Sequence, residues 1–421
     1  MNIAHFSWEY PPLIWGGLGT FAIEMTQQQK NKGHNITVFT LNYENKLKPV
    51  ENWNNIQVYR PKALDITPTL KLILNQDLGS WGANINFFSD VYTYNIQSAQ
   101  KFVDLVDEKK EKYDLIDCHD WLGILAGMMI KKEKNIPLMF HVHSTEQGRS
   151  LGTGSNTIKK IEYEGGQIAD CIITVSNAMK KELIELGFPS EKIRVCWNGV
   201  DSEKYDKTHF TDVQIKNLRR KYSIKENETM LFFIGRLVTV KGAHKLIEAM
   251  PKIIDEYPNT KLVILGIGDL EDQIKNKVKE LKIENNVCLN YEFVDEKQRI
   301  LHYAASDIVV LPSLYEPFGI VCTEAMSMGK PVVVGAKGTN GMREQVISEG
   351  EKQCGVHINP SDPDDIAWGI KQILESKEKR IKMGINARKR VIEEFTWDKI
   401  SNKTLDIYNE FINKKKVACV H

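Results

Sequence analysis

Residues 307–326 read "DIVVLPSLYEPFGIVCTEAM". An apolar run, "DIVVLPS", has the look of a strand with both faces buried, as strands do when helices cover a parallel sheet on each side. A loop with one acid, Glu316, and the triplet Pro-Phe-Gly follows. Then comes an apolar helical run with a second acid, Glu324, eight residues after the first. A buried strand that opens through a glycine into a helix is the unit of a doubly wound α/β fold.

The same unit recurs in both directions from this stretch. The second half of the chain holds "TMLFFIG", "TKLVILG", "NVCLNY", "PVVVGA" and "CGVHIN" as further strand candidates. The first half holds "NIAHFS", "HNITVFTL", "NIQVYRP", "YDLIDC", "IPLMFHVHS", "CIITVS" and "IRVCWNG". Amphipathic segments lie between many of them, for example 18–32, stopped by Gly33, and 177–186, stopped by Gly187, each glycine at a C-cap position. The two series predict an α/β protein of two doubly wound domains. Polar residues gather at 197–210, "WNGVDSEKYDKTHF", and place the boundary there, with 1–205 and 206–395 as the domains. Residues 212–222 read as a lead-in helix, and 60–95 as an irregular excursion with several glycines, asparagines and aromatics.

A chain of 421 residues is too long for one ordinary core. Its 56 basic and 55 acidic side chains leave a formal charge of +1, which argues against nucleic acid or a membrane surface held by bulk charge. No stretch of about 18 apolar residues appears and the N-terminus lacks a leader pattern. None of the seven cysteines forms a CxxC pair, so buried thiols in a reducing, cytoplasmic compartment are expected. The basic tail "NKKKVACVH" reads as a solvated terminus.

Ligands of open parallel sheets bind beyond the carboxyl ends of the strands, so the strand-to-helix junctions carry the chemistry. At the first, Gly17-Leu18-Gly19-Thr20-Phe21-Ala22 fits GxGxxA. However, Trp8 to Gly16 separate it from the strand and "ITVFTLN" ends without an acid, which counts against a dinucleotide. What remains is Gly16 and Gly17 before a helix N-terminus, where amides can meet an anion. No GxxxxGK[ST] loop occurs. The next junctions bring His119, Asp120, His141 and His143 to one sheet edge, with His141 and His143 on a shared face. Cys118 and these histidines do not complete a recognisable zinc spacing, so no metal is expected. His143, at its strand's end, is the functional candidate. In the second half Arg236 and Lys241, in "GRLVTVKG", suit a diphosphate as a planar fork and a point charge. Gly266 and Gly268 leave room for a flat base or simply make a turn. The amides of Gly319, Ile320 and Val321 begin a helix facing the same anion, with Glu324 one turn on for a hydroxyl donor.

Taken in order, "EYPPLIWGGLGTF", "HDWLGILAG", "FHVHSTE", "VSNAMKKEL", "NGVD", "GRLVTVKG", "YEPFGIVCTEAMSMGKPVV" and "EEFTWDKIS" resemble the retaining glycosyltransferases of the GT-B type, families 4 and 5, in their glycogen and starch synthase-like branch. The resemblance spans nearly the whole chain. It implies two Rossmann-like domains facing across a cleft, with a closing helix, 396–421, returning to the first. It implies transfer of a hexose, glucose first, from a nucleotide diphosphate sugar such as UDP- or ADP-glucose to a glycan or sugar acceptor, without cofactor or metal.

In such enzymes Arg236 and Lys241 would hold the diphosphate, and the amides from Phe318 and Gly319 to Val321 its distal phosphate. Glu324 would bind the ribose, Glu316 the transferred sugar, and Gly266 would lie beside the base. His143 would stand near the reacting centre, while Asp120 and the Gly16-Gly17 loop would contact sugar and phosphate from the N-terminal domain. Closure of the domains would exclude water. The run "LIWGGLG" lacks the lysine of the KxGGL motif found in bacterial and plant glycogen synthases, so its phosphate contact would rest on amides. Relatives that make disaccharides or lipid-linked glycans, nucleotide-sugar epimerases, glycoside hydrolases and non-catalytic binders are the alternatives. Oligomeric state is not legible.

Overall fold

A computed structural model describes residues 1–418. The chain divides into two compact units, one of residues 1–198 with the segment from Trp397 onward, the other Gly199–Thr396. No described helix is long and apolar enough to cross a membrane.

The first unit has an eight-stranded sheet built from β1 (Asn2–Phe6), β2 (Asn35–Phe39), β3 (Val50–Trp53), β4 (Ile56–Tyr59), β5 (Leu115–His119), β6 (Leu138–Val142), β7 (Cys171–Thr174) and β8 (Ile193–Val195). Its order is β3-β4-β2-β1-β5-β6-β7-β8, so the chain reverses direction across the sheet next to β1. β1, β5 and β6 are buried almost throughout, which is why their sequences read as continuous apolar runs. The helix Gly17–Asn31 stops before Gly33, whose φ is +83°. One strand departs from expectation. β3 pairs antiparallel with β4 through a turn at Asn54 and Asn55, both at positive φ. Its "VENW" is partly exposed and charged, so it carried no apolar signal, and an antiparallel edge on a parallel sheet is a common addition.

The excursion at 60–95 is also corrected. It contains two short helical turns, Thr67–Leu70 and Gln76–Gly79, and the helix Ile85–Asp107 begins inside it. Phe88, Val91 and Tyr94 from that helix are buried, and the Tyr94 hydroxyl donates to the Phe39 carbonyl at 3.0 Å. Clustered asparagines and aromatics hid a helix whose stability comes from its packed face. The closing helix Trp397–Ala418 puts Trp397, Ile400, Leu405, Tyr408 and Ile412 into the same core as Ile3, Phe21 and Met25. The end of the basic tail, with Cys419, lies outside the described residues. Of the other six cysteines five are buried, Cys288 is partly so, and all are unpaired.

The second unit is a six-stranded, wholly parallel sheet of β9 (Thr229–Ile234), β10 (Thr260–Leu265), β11 (Val287–Asn290), β12 (Ile308–Leu311), β13 (Val332–Gly335) and β14 (Gly355–Ile358), in the order β11-β10-β9-β12-β13-β14. Its helix Asp212–Lys221 starts with a capping box between Thr211 and Gln214, the reciprocal satisfaction of two exposed donors. Here too the order reverses beside the first strand, β9, and puts the loops after β9 and β12 side by side.

Candidate active site

In the second unit those two loops are stitched together by backbone. The Leu314 amide donates to the Val240 carbonyl at 2.8 Å. Gly242 sits at φ +72° with the Pro312 carbonyl oxygen 1.9 Å from where a Cβ would be, so no side chain fits there. The stitching brings Lys241, at the end of a short turn Thr239–Lys241, against Glu316, and the two side chains form an ion pair. Their side chains are 23% and 12% exposed, so the pair is sheltered but reachable. Arg236, five residues before Lys241, is exposed and makes no hydrogen bond or ion pair among the described residues. One spare guanidinium on the same loop as one sheltered ammonium-carboxylate pair offers the groups that can receive an anion and a hydroxyl.

The helix Ile320–Ser327 starts at Gly319, which has φ +90° and packs under Met342 and beside Glu316. The first amides of a helix have no intrahelical partner, and Ile320 and Val321 are only partly buried. Phe318 is buried, its carbonyl taking a hydrogen bond from Gln345 at 2.7 Å. Glu324 is 4% exposed. Its oxygens accept from the Tyr205 hydroxyl at 2.6 Å and the Tyr303 hydroxyl at 2.7 Å, and the Arg299 guanidinium lies 3.7 Å away. A carboxylate offers about four lone-pair directions, so a further hydroxyl can join these. Sequence reading missed Tyr205, Arg299 and Tyr303. The signal for two of them was their i, i+4 spacing on the helix Glu296–Ala305.

Gly266 and Gly268 are held by close backbone packing. A Cβ there would lie 2.0 Å from the Gly235 carbonyl oxygen, and one at Gly268 2.5 Å from that of Leu237. Neighbouring backbone passes where each Cβ would be, so both glycines have a packing reason of their own.

In the first unit, His143 follows β6 directly and is partly buried. Asp120, at φ +53°, accepts from the His143 amide at 2.7 Å and the Ser144 amide at 3.3 Å. Asp tolerates this left-handed backbone, and the strained position aims the carboxylate at the end of β6. Burial pushes the Asp120 carboxyl up to about 6, against the opposing pull of Arg149. Burial, and then the neighbouring His141 and His119, hold His143 well below its ordinary value, so its ring is neutral at neutral pH.

In the Gly16-Gly17 loop the Gly16 amide is already taken, while the amides from Gly17 onward open the helix. The Glu9 carboxylate takes the Trp15 amide at 2.8 Å and the Gly16 amide at 3.0 Å. The acid of "WEY" holds the loop that folds back on it.

Arg149 and Glu162, neither of them anticipated, adjoin Asp120 in the first unit. Arg149 pairs with Glu146 at 2.8 Å and Glu162 at 3.1 Å. Burial pushes the Glu162 carboxyl from the ordinary 4.5 up to about 7. A raised acid keeps its proton in the native state after the unfolded chain has lost it, so stability is full below the unfolded value and falls as pH rises toward 7. Glu162→Gln mimics the protonated form. It is expected to remove on the order of 3 kcal/mol of the stability loss between pH 4.5 and 7. Urea melts of both proteins at pH 5 and 8 check this, and parallel pH profiles would refute it.

Two family models cover most of the chain: Glycosyltransferase Family 4 matches residues 15–204 and Glycosyl transferases group 1 matches 214–390. An uncharacterized glycosyltransferase of Methanocaldococcus jannaschii is 34% identical over 97% of this chain and 98% of its own. The chain is a glycosyltransferase of this family. Further relatives of the glycosyltransferase include the glycogen synthase of Mycobacterium tuberculosis, 26% identical over 97% of this chain and 94% of its own. Among solved structures, the sucrose-phosphate synthase of Thermosynechococcus elongatus matches with a TM-score of 0.79 at 21% identity, over 98% of this chain and 99% of that one. That likeness is one of fold, and the two Rossmann-like sheets of the glycosyltransferase are those of the GT-B class.

Proposed function

We propose that this glycosyltransferase moves a hexose, glucose in the first instance, from a nucleotide diphosphate sugar to a sugar hydroxyl, with retention at the anomeric carbon and without a metal ion in the reaction. The observation that carries this is the Lys241–Glu316 pair, on whose loop Arg236 stands exposed. An arriving diphosphate would draw Lys241 from its partner and take Arg236 as well. The released Glu316 carboxylate would then accept a hydroxyl of the transferred sugar. The two cations would stabilise charge as it grows on the departing nucleotide. Glu324 would hold the ribose, already oriented by Tyr205, Tyr303 and Arg299. The amides opening the helix at Ile320 would hold the distal phosphate, with Phe318 packed beneath them. His143, neutral and fixed by Asp120, would line the sugar pocket as a hydrogen-bonding group, and a departing phosphate oxygen would take the acceptor's proton on the same face. Glucose as the cargo is supported by the names of its relatives, a glycogen synthase and a sucrose-phosphate synthase.

The test is a panel of UDP-, ADP- and GDP-glucose with glycogen as first acceptor and small sugars after it, read by nucleotide release and by the anomeric signal of the product. Acceptor-dependent release with an α-linked product supports transfer. Conversion of the donor sugar without acceptor would mean an epimerase. Tyr303→Phe removes one hydroxyl from Glu324, and hydrogen bonds to charged groups contribute about 1.5–3 kcal/mol. This variant is expected to raise the donor KM about 10-fold or more with little change in kcat, as steady-state kinetics would show.

A further inference from the structure

His5, Asp117, His119 and His141 stand on three adjacent parallel strands, β1, β5 and β6. His5 lies opposite Asp117, and His119 opposite His141. Two-residue spacing puts Asp117 and His119 on one face of β5, and all four side chains are at most 1% exposed. Three atoms converge: His5 Nδ1 to His119 Nε2 is 3.2 Å, His5 Nδ1 to Asp117 Oδ2 3.6 Å, and His119 Nε2 to Asp117 Oδ2 3.7 Å. A point equidistant from all three lies about 2 Å from each, the length of a zinc bond to imidazole or carboxylate.

His141 stands beside these three without closing on all of them. His141 Nδ1 lies 3.7 Å from the same Asp117 oxygen, and neither ring nitrogen of His141 has a hydrogen-bond partner. Asp117 Oδ1 has none either. Leaving such atoms unsatisfied in a dry core costs roughly 1–3 kcal/mol each. The outward nitrogens of His5 and His119, by contrast, are engaged: His5 Nε2 meets Gln29 Oε1 at 2.8 Å and His119 Nδ1 meets His143 Nε2 at 3.2 Å. The Tyr408 hydroxyl donates to Asp117 Oδ2, the oxygen that faces the two rings. Imidazoles facing inward while their far nitrogens are tied to a second layer is the pattern of a metal site.

We propose that His5, Asp117 and His119 bind one divalent transition-metal ion, zinc by its chemistry. Two imidazole nitrogens and one carboxylate oxygen suit zinc and not magnesium, which takes oxygen ligands and keeps water. All three ligands are at most 1% exposed, so a substrate has no access and the ion is structural. It pins β1 and β5 together, and the Tyr408 hydroxyl on Asp117 ties them to the closing helix. With His119 bound through Nε2, its Nδ1 carries the proton and donates to His143 Nε2. The His143 proton then sits on Nδ1, so the ion sets the tautomer of a residue in the proposed sugar pocket. His143 itself is not a ligand, because its Nε2 faces His119 Nδ1.

The experiment uses the full chain without a histidine tag, expressed in zinc-supplemented medium. Elemental analysis is expected to find about one zinc per chain. Stripping with a chelator should lower Tm, with zinc chloride but not magnesium chloride restoring it. Refilling with cobalt should give the visible absorption of a tetrahedral site. Gln29→Leu, which disturbs only the second layer, is expected to weaken zinc binding about 10- to 100-fold. Cys118→Ala, beside Asp117 but not a ligand, should leave it unchanged. Less than about a tenth of an equivalent of metal, with a Tm indifferent to chelator and zinc, would overturn the proposal and leave the cluster a hydrogen-bonded network. Metal content and Tm are read without any sugar transfer, so this result stands apart from the donor panel.

Discussion

Lys241→Ala is expected to cut turnover about 100- to 1000-fold while costing only about 1 kcal/mol of stability. The two magnitudes come from different environments. In the free protein the ammonium is partly exposed and paired with Glu316, and pairs in contact with solvent contribute little to folding. During transfer the same charge would face a leaving diphosphate in a site closed to water, where removing one such group costs about 2.7–4 kcal/mol of barrier. A complication is the carboxylate left behind. Glu316 is 9% exposed, and without Lys241 it loses its only cationic partner among the described residues. The double variant Lys241→Ala with Glu316→Gln removes that burden. It should regain stability in a urea melt without regaining turnover. If Lys241→Ala turns over at the normal rate, the assignment of a diphosphate to this junction fails. If the double variant recovers activity, the loss came from the stranded carboxylate and not from missing charge stabilisation.

The fold was legible wherever a strand was buried on both faces. β9, β10, β12 and β13, like β1, β5 and β6, read as largely apolar runs because helices cover both sides of their sheets. β3 escaped notice because an edge strand pairs through its backbone and asks little of its side chains.

The site divides in the same way. Lys241, Glu316, Gly319 and Glu324 sit at strand-to-helix junctions of short sequence separation, so the topology alone brought them forward. Their partners come from far along the chain. Tyr205 reaches Glu324 across 119 residues, and Tyr408 reaches Asp117 across 291. No local spacing encodes such pairings. The glycines were the hardest to read. Gly242 and Gly266 share a sequence context with phosphate and base contacts, yet both exist because another backbone passes where their Cβ would be. Whether a glycine makes room for a ligand or for the chain itself is decided by tertiary contact.

That distinction can be measured at Gly242. Gly242→Ala is expected to destabilise the protein by about 3 kcal/mol or more, two effects adding. The left-handed backbone at φ +72° costs a non-glycine residue roughly 1–2 kcal/mol. The remainder is steric: the new methyl would fall 1.9 Å from the Pro312 carbonyl oxygen, far inside contact distance, and backbone cannot rotate out of the way as a side chain does. Gly350 separates the two terms. It lies in the same unit at φ +76° with nothing within 4 Å of its Cβ position, so Gly350→Ala carries the conformational cost alone. In a unit of this size each kcal/mol shifts Tm by about 2–4 °C. Gly242→Ala should therefore melt well below Gly350→Ala, by several degrees. Because Gly242 holds the Lys241 turn against the loop of Glu316, it should also weaken donor binding at temperatures where the protein stays folded, while Gly350→Ala binds donor normally. Equal melting points for the two variants would mean that the loops after β9 and β12 are not stitched together at Pro312. The ion pair that the proposed chemistry depends on would then lack its support.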